Sequence, residues 1–226
     1  MGMSKLMIYH GSPQIVEHPV LEKGKKYNDY GQGFYCTEHL ELAREWACTE
    51  NMDGIVNQYE LTMGGLNILN LSDGRFSVLH WLALLMNYRI LKLSTPVMRK
   101  GAEWLKENYL TDLSEYDVVI GWRADDSYFS FARAFVNNEI TLHQLSKAMS
   151  LGNLGQQMVL KSEKAFDALD FLSYERVDGT VYYPKRKARD LSARAAYLAE
   201  LENEDLDGRY MRDLIRNGVK HDEASL

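Results

Sequence analysis

His10-Gly11-Ser12 stands near the start of the chain, and Gly31-Gln32-Gly33 leads further on into Phe34-Tyr35. Trp46 follows eleven residues after Tyr35, inside the run HLELAREWACTE. A histidine at a strand end can offer one ring nitrogen to a ligand hydroxyl. A glycine beside it lets main-chain N–H and C=O groups come close enough to grip an amide. Two aromatic rings on facing elements can hold a flat heteroaromatic between them, each ring adding about 0.5–1.5 kcal/mol beyond the area it buries. Taken singly, the same residues have plainer uses. His-Gly-Ser makes an ordinary turn, and periodicity alone puts Tyr35 and Trp46 in the core.

Further polar candidates lie downstream. Asp125 and Asp126 in WRADDSYF follow a strand and precede a helical run, so one of them or Ser127 can cap that helix. A carboxylate of the pair can equally face a cleft, and the two uses stand level. Glu163, after Ser162, fits the first turn of a helix, where a negative charge suits the dipole. Arg123 reads as a surface residue. Gln156-Gln157 opens the run QQMVLKS. Common enzyme signatures are absent: no G-x-G-x-x-G opens a helix after a strand, and there is no G-x-x-x-x-G-K-[ST], H-E-x-x-H or G-x-S-x-G.

The elements that must position these residues alternate irregularly. KLMIYHG reads as a strand ending at Gly11, and HLELAREWACTE as a helix with Leu40, Ala43 and Ala47 on one stripe. GIVNQYELTM alternates as a strand, with Ile55, Asn57, Tyr59 and Leu61 on one side, and NILNL is another. Helices are expected over 74–93 and 96–109, the second opened by Thr95-Pro96. YDVVIGW is a strand, SFARAFVN and TLHQLSKAM are helices (the latter capped by Thr141), QQMVLKS is a strand, EKAFDAL a short helix and DFLSYERV a last strand. From Pro184 the pattern is helical to about Asn217, with boundaries uncertain by about 2–4 residues. Short strands interleaved with helices point to an α+β fold with antiparallel or mixed sheets, not a doubly wound parallel one.

Composition narrows the class. The chain has 226 residues, enough for a hydrophobic core without disulfide staples. Cys36 and Cys48 lack zinc-type spacing and read as reduced thiols. No signal-peptide pattern opens the sequence. VLHWLALLMNYRILKL is broken by His80, Asn87 and Arg89 and reads as a buried helix, not a membrane span. A soluble, cytoplasmic protein is expected, with no membrane partner and no metal. The net charge of −6 does not suit a dedicated nucleic-acid binder. Residues 184–194, PKRKARDLSAR, are locally basic, and 200–207, ELENEDLD, acidic. They read as a solvated helix and an acidic turn, or as a phosphate- or partner-binding face.

Read together, YHGS and YGQGFYCTEHLELAREWAC resemble the nicotinamide-binding core of the ADP-ribosyltransferases of the diphtheria-toxin and poly(ADP-ribose) polymerase branch. The match falls on His10, Gly11, Ser12, Gly31, Gly33, Tyr35 and Trp46, with Trp in place of a second Tyr. A nearer resemblance is to a bacterial family of uncharacterised domains of the same superfamily, through YDVVIGWRADD and QMVLKSEKA. The likeness runs from about residue 5 to 175. It implies a split antiparallel or mixed sheet core over 1–180 and a C-terminal helical extension over 181–226.

The resemblance also implies NAD as co-substrate. His10 would hold the adenosine ribose, Gly11 the nicotinamide carboxamide, Tyr35 and Trp46 the nicotinamide ring, and Ser12 would reach the adenylate side. Gln157 falls where the better-known branch has a catalytic Glu, giving a His-Tyr-Gln motif. A Gln keeps a hydrogen bond to the ribose but brings no charge, and losing one preorganised electrostatic group costs roughly 3–4 kcal/mol. Asp126 or Asp125 could supply the carboxylate instead, or the acceptor could need no deprotonation. Ala43 replaces a serine that bonds the carboxamide in that branch. The expected activity is mono-ADP-ribosyl transfer to an unidentified protein or nucleic-acid acceptor, as a bacterial toxin or defence effector with an antitoxin-like protein partner. The alternative is a weakened NAD- or ADP-ribose-binding module, or an interaction protein that uses the basic helix.

Overall fold

Residues 4–124, 126–151, 155–202 and 205–218 are described by the computed structural model. In chain order the elements are β1 (Lys5–Ser12), a 3₁₀ turn (Leu21–Lys23), β2 (Phe34–Cys36), α1 (Leu40–Ala47), β3 (Gly54–Thr62) and β4 (Ile68–Asn70). There follow α2 (Val78–Tyr88), α3 (Pro96–Tyr109), β5 (Val118–Trp122), α4 (Asp126–Val136) and α5 (Leu142–Leu151). The last are β6 (Gln156–Leu160), α6 (Glu163–Asp167), β7 (Leu169–Val177), α7 (Gly179–Leu201) and α8 (Met211–Asn217). The fold is α+β.

The chain divides into two compact units, the first being Met1–Asn70, Leu113–Trp122 and Leu154–Ala188. It holds both sheets. One is antiparallel in the order β1-β3-β7; the other is mixed, in the order β2-β6-β5-β4, with only β4 and β5 parallel. Tyr9 and Thr37 link the sheets by two main-chain hydrogen bonds of 2.8 and 2.9 Å. Such bonds contribute about 1 kcal/mol each. Apolar packing contributes far more, at roughly 1.5–3 kcal/mol per buried side chain. Ile8, Tyr59 and Leu61 from the first sheet pack with Phe34, Cys36, Val118, Met158 and Leu160 from the second. The start of β3 is covered on its other face too, where Val56 and Val177 meet Ala43, Ala47 and Cys48 of α1 and its end. Cys36 and Cys48 are buried and free, and burial pushes both thiols above their usual pKa.

The second unit comprises Leu71–Asp112, Arg123–Asn153 and Arg189–Leu226. α2 is buried at eight positions from Val78 to Met86, as expected of a helix apolar on nearly every side. It spans 78–88 and not 74–93, because Ser77 starts it and its N–H donates to His80 Nδ1. No helix among the described residues is long and apolar enough to cross a membrane. Gly101 of α3 lies so close to Met211 of α8 that a Cβ would sit 2.9 Å from Met211 Cγ. Thr141 caps α5, accepting from Gln144 N–H at 3.1 Å while Gln144 Oε1 accepts from Thr141 N–H at 3.0 Å. Ser127 donates its hydroxyl to the Asp190 carboxylate.

The C-terminal segment is helical to Asn217 as expected, with the end of the acidic stretch forming a turn within it. α7 begins five residues before Pro184, where Asp178 Oδ1 accepts from Thr180 N–H at 2.8 Å, and Pro184 lies inside it. The helix ends at Leu201, and a turn at Asp205–Gly208 precedes α8. Asp213 caps this last helix by accepting from Tyr210 N–H at 3.0 Å. The basic run sits on α7. Lys185 lies over the Tyr182 ring at 4.3 Å and beside Glu41 at 3.6 Å, and Arg186 donates to Cys48 O.

Candidate functional site

Alternation along β2 and β6 sorts the side chains. Phe34, Cys36, Met158 and Leu160 join the core between the sheets, so Tyr35, Gln157 and Val159 occupy the opposite face. Tyr35 pairs with Val159, which makes Gln157 its diagonal neighbour on that face, a relation that spans about 7–8 Å. The sequence motif positions 35 and 157 therefore share one surface.

The glycine turn closes over that face and is held from several sides. Gly31 N–H donates to Asn28 O at 3.0 Å, and Gly31 takes φ +74°, which a glycine adopts without cost. The Tyr35 hydroxyl donates to Gly31 O at 2.7 Å and accepts from Tyr30 N–H at 3.0 Å. Tyr30 is fully buried and donates to Trp122 O at 2.7 Å. Lys161 Nζ donates to Tyr30 O at 2.6 Å and Gln32 O at 2.9 Å, and burial brings its pKa down to about 8. Gln157 Nε2 donates to Asp29 Oδ2 at 2.8 Å and to Trp122 O at 3.1 Å. Both Asp29 and Gln157 are buried, at 5% and 4% exposure. Gly33 is needed for contact: a Cβ there would meet Val159 Cγ1 at 2.6 Å and Leu160 O at 2.7 Å.

His10 is set at the end of β1 with its Nδ1 2.7 Å from Tyr35 O and its ring 4.3 Å from that of Phe34. A carbonyl oxygen only accepts, so Nδ1 carries the hydrogen and the neutral ring keeps its lone pair on Nε2. Burial pulls the His10 pKa below its ordinary value, outweighing the opposing hydrogen bond to Tyr35, and so favours that neutral ring. His10, Ser12, Val16, Gly33, Phe34 and Tyr35 line a cavity of about 670 Å³, within the range of roughly 300–1,000 Å³ usual for small-molecule sites.

The loop that walls this cavity hangs from one buried amide. Asn57, wholly buried on β3, accepts from Val16 N–H at 2.8 Å. Its Nδ2 donates toward Ser12 Oγ and Gln14 O, each at 3.2 Å, and His10 O at 3.3 Å. Ser12 is itself tied to this loop through a hydroxyl that donates to Gln14 O. The Tyr59 hydroxyl donates to Val16 O.

Gly11 brings α1 against β1: a Cβ on it would lie 2.3 Å from Ala43 O and 2.7 Å from Ala47 N. Trp46 is carried on that same turn of α1, half-buried, next to Ala47. Ala43 is wholly buried in the α1 interface. Thus His10, Gly11, Ser12, Tyr35 and Gln157 fall on adjoining strands of one unit, with Gly33 in the turn just before β2 and Trp46 on the helix packed against the first strand. Asp125 lies outside the described residues, as does the side chain of Asp126, which opens α4 in the second unit. Glu163 is exposed in the first turn of α6, beside the capping Ser162.

Sequence reading misses Asp29, Asn57 and Lys161 as parts of this arrangement. Asp29 precedes a glycine turn and passes for turn chemistry. Asn57 does leave a signal, being the one polar residue on the inward side of β3. Lys161 stands inside the QMVLKSEKA motif, where a lysine at a strand end reads as a solvated charge.

No curated protein and no solved structure matches the chain. A family model described as "Protein of unknown function (DUF3990)" matches residues 6–171. That span includes His10, Tyr35, Trp46 and Gln157, together with Asp29, Asn57 and Lys161. The chain belongs to this DUF3990 family.

Proposed function

We propose that the chain is an NAD-dependent mono-ADP-ribosyltransferase, a member of the superfamily branch that its His-Tyr-Gln motif resembles. The observation that carries the reading is His10, a neutral acceptor at Nε2 on the wall of a ligand-sized cavity and bonded through Nδ1 to Tyr35. Nε2 suits a ribose hydroxyl, and the Tyr35 face carries Gln157 at the position where a hydrogen-bond acceptor is needed beside the second ribose. In the reaction the bond between ribose and the nicotinamide nitrogen breaks, and its electron pair leaves with nicotinamide. A lone pair of the acceptor forms the new bond at that ribose carbon, and the acceptor's proton passes to solvent. These residues contribute by holding both ends of the dinucleotide rigid while the charge develops. A toxin or defence effector acting inside a bacterial cell, restrained by an antitoxin-like partner, is the setting this activity fits.

Incubation of the protein with labelled NAD and bacterial lysate tests the reading. Label is expected to move to a macromolecule, and His10→Ala and Tyr35→Ala are each expected to abolish the transfer. Transfer that persists in both folded variants overturns the site; no binding or turnover of NAD by the wild type overturns the function. A second reading, an NAD-binding module without turnover, is favoured by one feature, the Gln in place of a carboxylate at 157. Calorimetric NAD binding without nicotinamide release over long incubation is its signature.

A further inference from the structure

We propose that Asp29 is the positioning carboxylate of this site, turning Gln157 into a fixed hydrogen-bond acceptor backed by a negative charge; this rests on the NAD-dependent reading above. An amide has two N–H donors and one oxygen, and at ordinary precision its two ends are told apart only by their partners. The partners of Gln157 leave no choice. Asp29 Oδ2 at 2.8 Å and Trp122 O at 3.1 Å are both acceptors, so the nitrogen must face them and both hydrogens are taken. A flipped amide would set its oxygen against two oxygens. Trp122 O also accepts from the Tyr30 hydroxyl at 2.7 Å, which occupies its second lone pair and fixes it in place.

What Gln157 has left to offer is therefore Oε1, for which no hydrogen bond is found among the described residues. An amide so held presents an acceptor only, the polarity that a carboxylate at the same position would have. The charge that glutamine lacks sits one hydrogen bond behind it, on a carboxylate that is 5% exposed and so little screened. A hydrogen bond from the amide to an anion also draws electron density toward Oε1. The pair suits a ligand that donates a hydroxyl and gains positive charge beside it, as the nicotinamide ribose of NAD does. Carboxylate and acceptor, combined in one Glu elsewhere, are here divided between two residues. Asp29 acts through Gln157.

Three variants test this with NAD itself as the probe: Asp29→Asn, Gln157→Glu and the exchange Asp29→Asn/Gln157→Glu. Asp29→Asn keeps an acceptor for the amide and removes the charge. Nicotinamide release is expected to slow by about 10- to 100-fold with NAD affinity by calorimetry within about threefold of wild type. Gln157→Glu alone puts two carboxyl groups at hydrogen-bond distance, where like charges force them to share a proton. It is expected to turn over more slowly than wild type. The exchange restores one carboxylate and one amide, with Asn now donating to Glu and Trp122 O keeping only the Tyr30 hydroxyl. It is expected to release nicotinamide faster than either single variant, an outcome that mere loss of packing would not produce. Wild-type rates in Asp29→Asn, or Gln157→Glu alone exceeding wild type, overturn the pairing and leave the NAD reading standing. A wild type that neither binds nor cleaves NAD overturns both. Should Asp29→Asn fail to fold, the exchange decides: turnover supports the pairing, and a folded, inert protein overturns it.

Discussion

His10 Nδ1 lies 2.7 Å from the main-chain oxygen of Tyr35, so one imidazole ties the end of β1 to β2 across the seam between the two sheets. The bond has two consequences of different kinds. It adds a side-chain link beside the main-chain bridge from Tyr9 to Thr37. It also sets the tautomer, and with it the chemistry that the cavity wall can offer.

The first prediction concerns acid. Burial lowers the His10 pKa, so the folded chain prefers the neutral ring, whereas the unfolded chain takes up a proton near pH 6.5. Below that value the unfolded state binds more protons, and stability falls with pH until the folded-state pKa is reached. His80 is shifted in the same direction by burial and contributes likewise. His10→Asn, which can still donate to Tyr35 O, should show a shallower loss of melting temperature between pH 7.5 and about pH 5. NAD affinity of the wild type should hold while the folded-state ring stays neutral and fall only below the lowered folded-state pKa, where Nε2 gains its proton. An unchanged melting profile in His10→Asn would count against a neutral His10.

Tyr35→Phe separates the ring from the hydroxyl. The ring that would stack on nicotinamide stays, while Gly31 O and Tyr30 N–H lose their partner. Unsatisfied groups of this kind cost about 1–3 kcal/mol. Hydrogen exchange should speed up at residues 30–33, with a corresponding loss of stability to denaturant and little change in NAD affinity. A fall in affinity as large as that of Tyr35→Ala would place the hydroxyl, not the ring, at the ligand.

Much of this arrangement can be read from the sequence, and the unread parts share a cause. Strand patterning finds β1, β3, β4, β5, β6 and β7. The His10-Gly11-Ser12 and GQGFY segments stand out by residue type alone. What the sequence hides is long-range pairing. Asn28-Asp29 before Gly31 looks like any turn, and nothing local says that Asp29 meets Gln157 across 128 positions. The helical pattern from Pro184 and the acidic turn after it are legible, but the start of α7 at Gly179, set by the Asp178 side chain, is not.

Lys161 gives the alkaline counterpart of His10. Its folded-state pKa of about 8 lies below the unfolded value of about 10.4. Between those values the unfolded chain holds more protons, so this group makes stability rise with pH across the window. The neutral amine still has two hydrogens for Tyr30 O and Gln32 O. Lys161→Met should lose about 1–3 kcal/mol through the two abandoned carbonyls. Its denaturant midpoint, compared with wild type at pH 7.5 and 9.5, should lack the lysine's rise. Parallel pH slopes in the two proteins would contradict the lowered pKa.

Gly11→Ala tests whether α1 must touch β1. The added methyl would meet Ala43 O and Ala47 N, main-chain atoms that move only if the helix moves. Overpacking of this kind costs about 1–3 kcal/mol. Because Trp46 rides on the same turn, the shift should also weaken NAD binding, and the two losses should appear together in denaturant unfolding and calorimetry. Weakened stability with undiminished affinity would remove Trp46 from the ligand.

Asn57→Asp is the sharpest probe of the cavity wall, since it leaves the side chain's shape unchanged. One carboxylate oxygen can still accept from Val16 N–H, as Asn57 Oδ1 does at 2.8 Å. The other replaces Nδ2 and turns an acceptor toward His10 O and Gln14 O, both acceptors themselves. At a wholly buried position the new carboxyl must either take a proton or drive the loop away. Protonation of that carboxyl would restore one of the lost donors, so the defect should be pH-dependent. At pH 8 the loop over residues 12–20 should exchange amide hydrogens fast and NAD affinity should drop. At about pH 5 the loop should regain part of its protection. Asn57→Ala, with nothing to titrate, should show the fast exchange at both pH values. If the two variants behave alike, the loop is held by its apolar contacts and by Tyr59, and the buried amide is not what shapes the cavity.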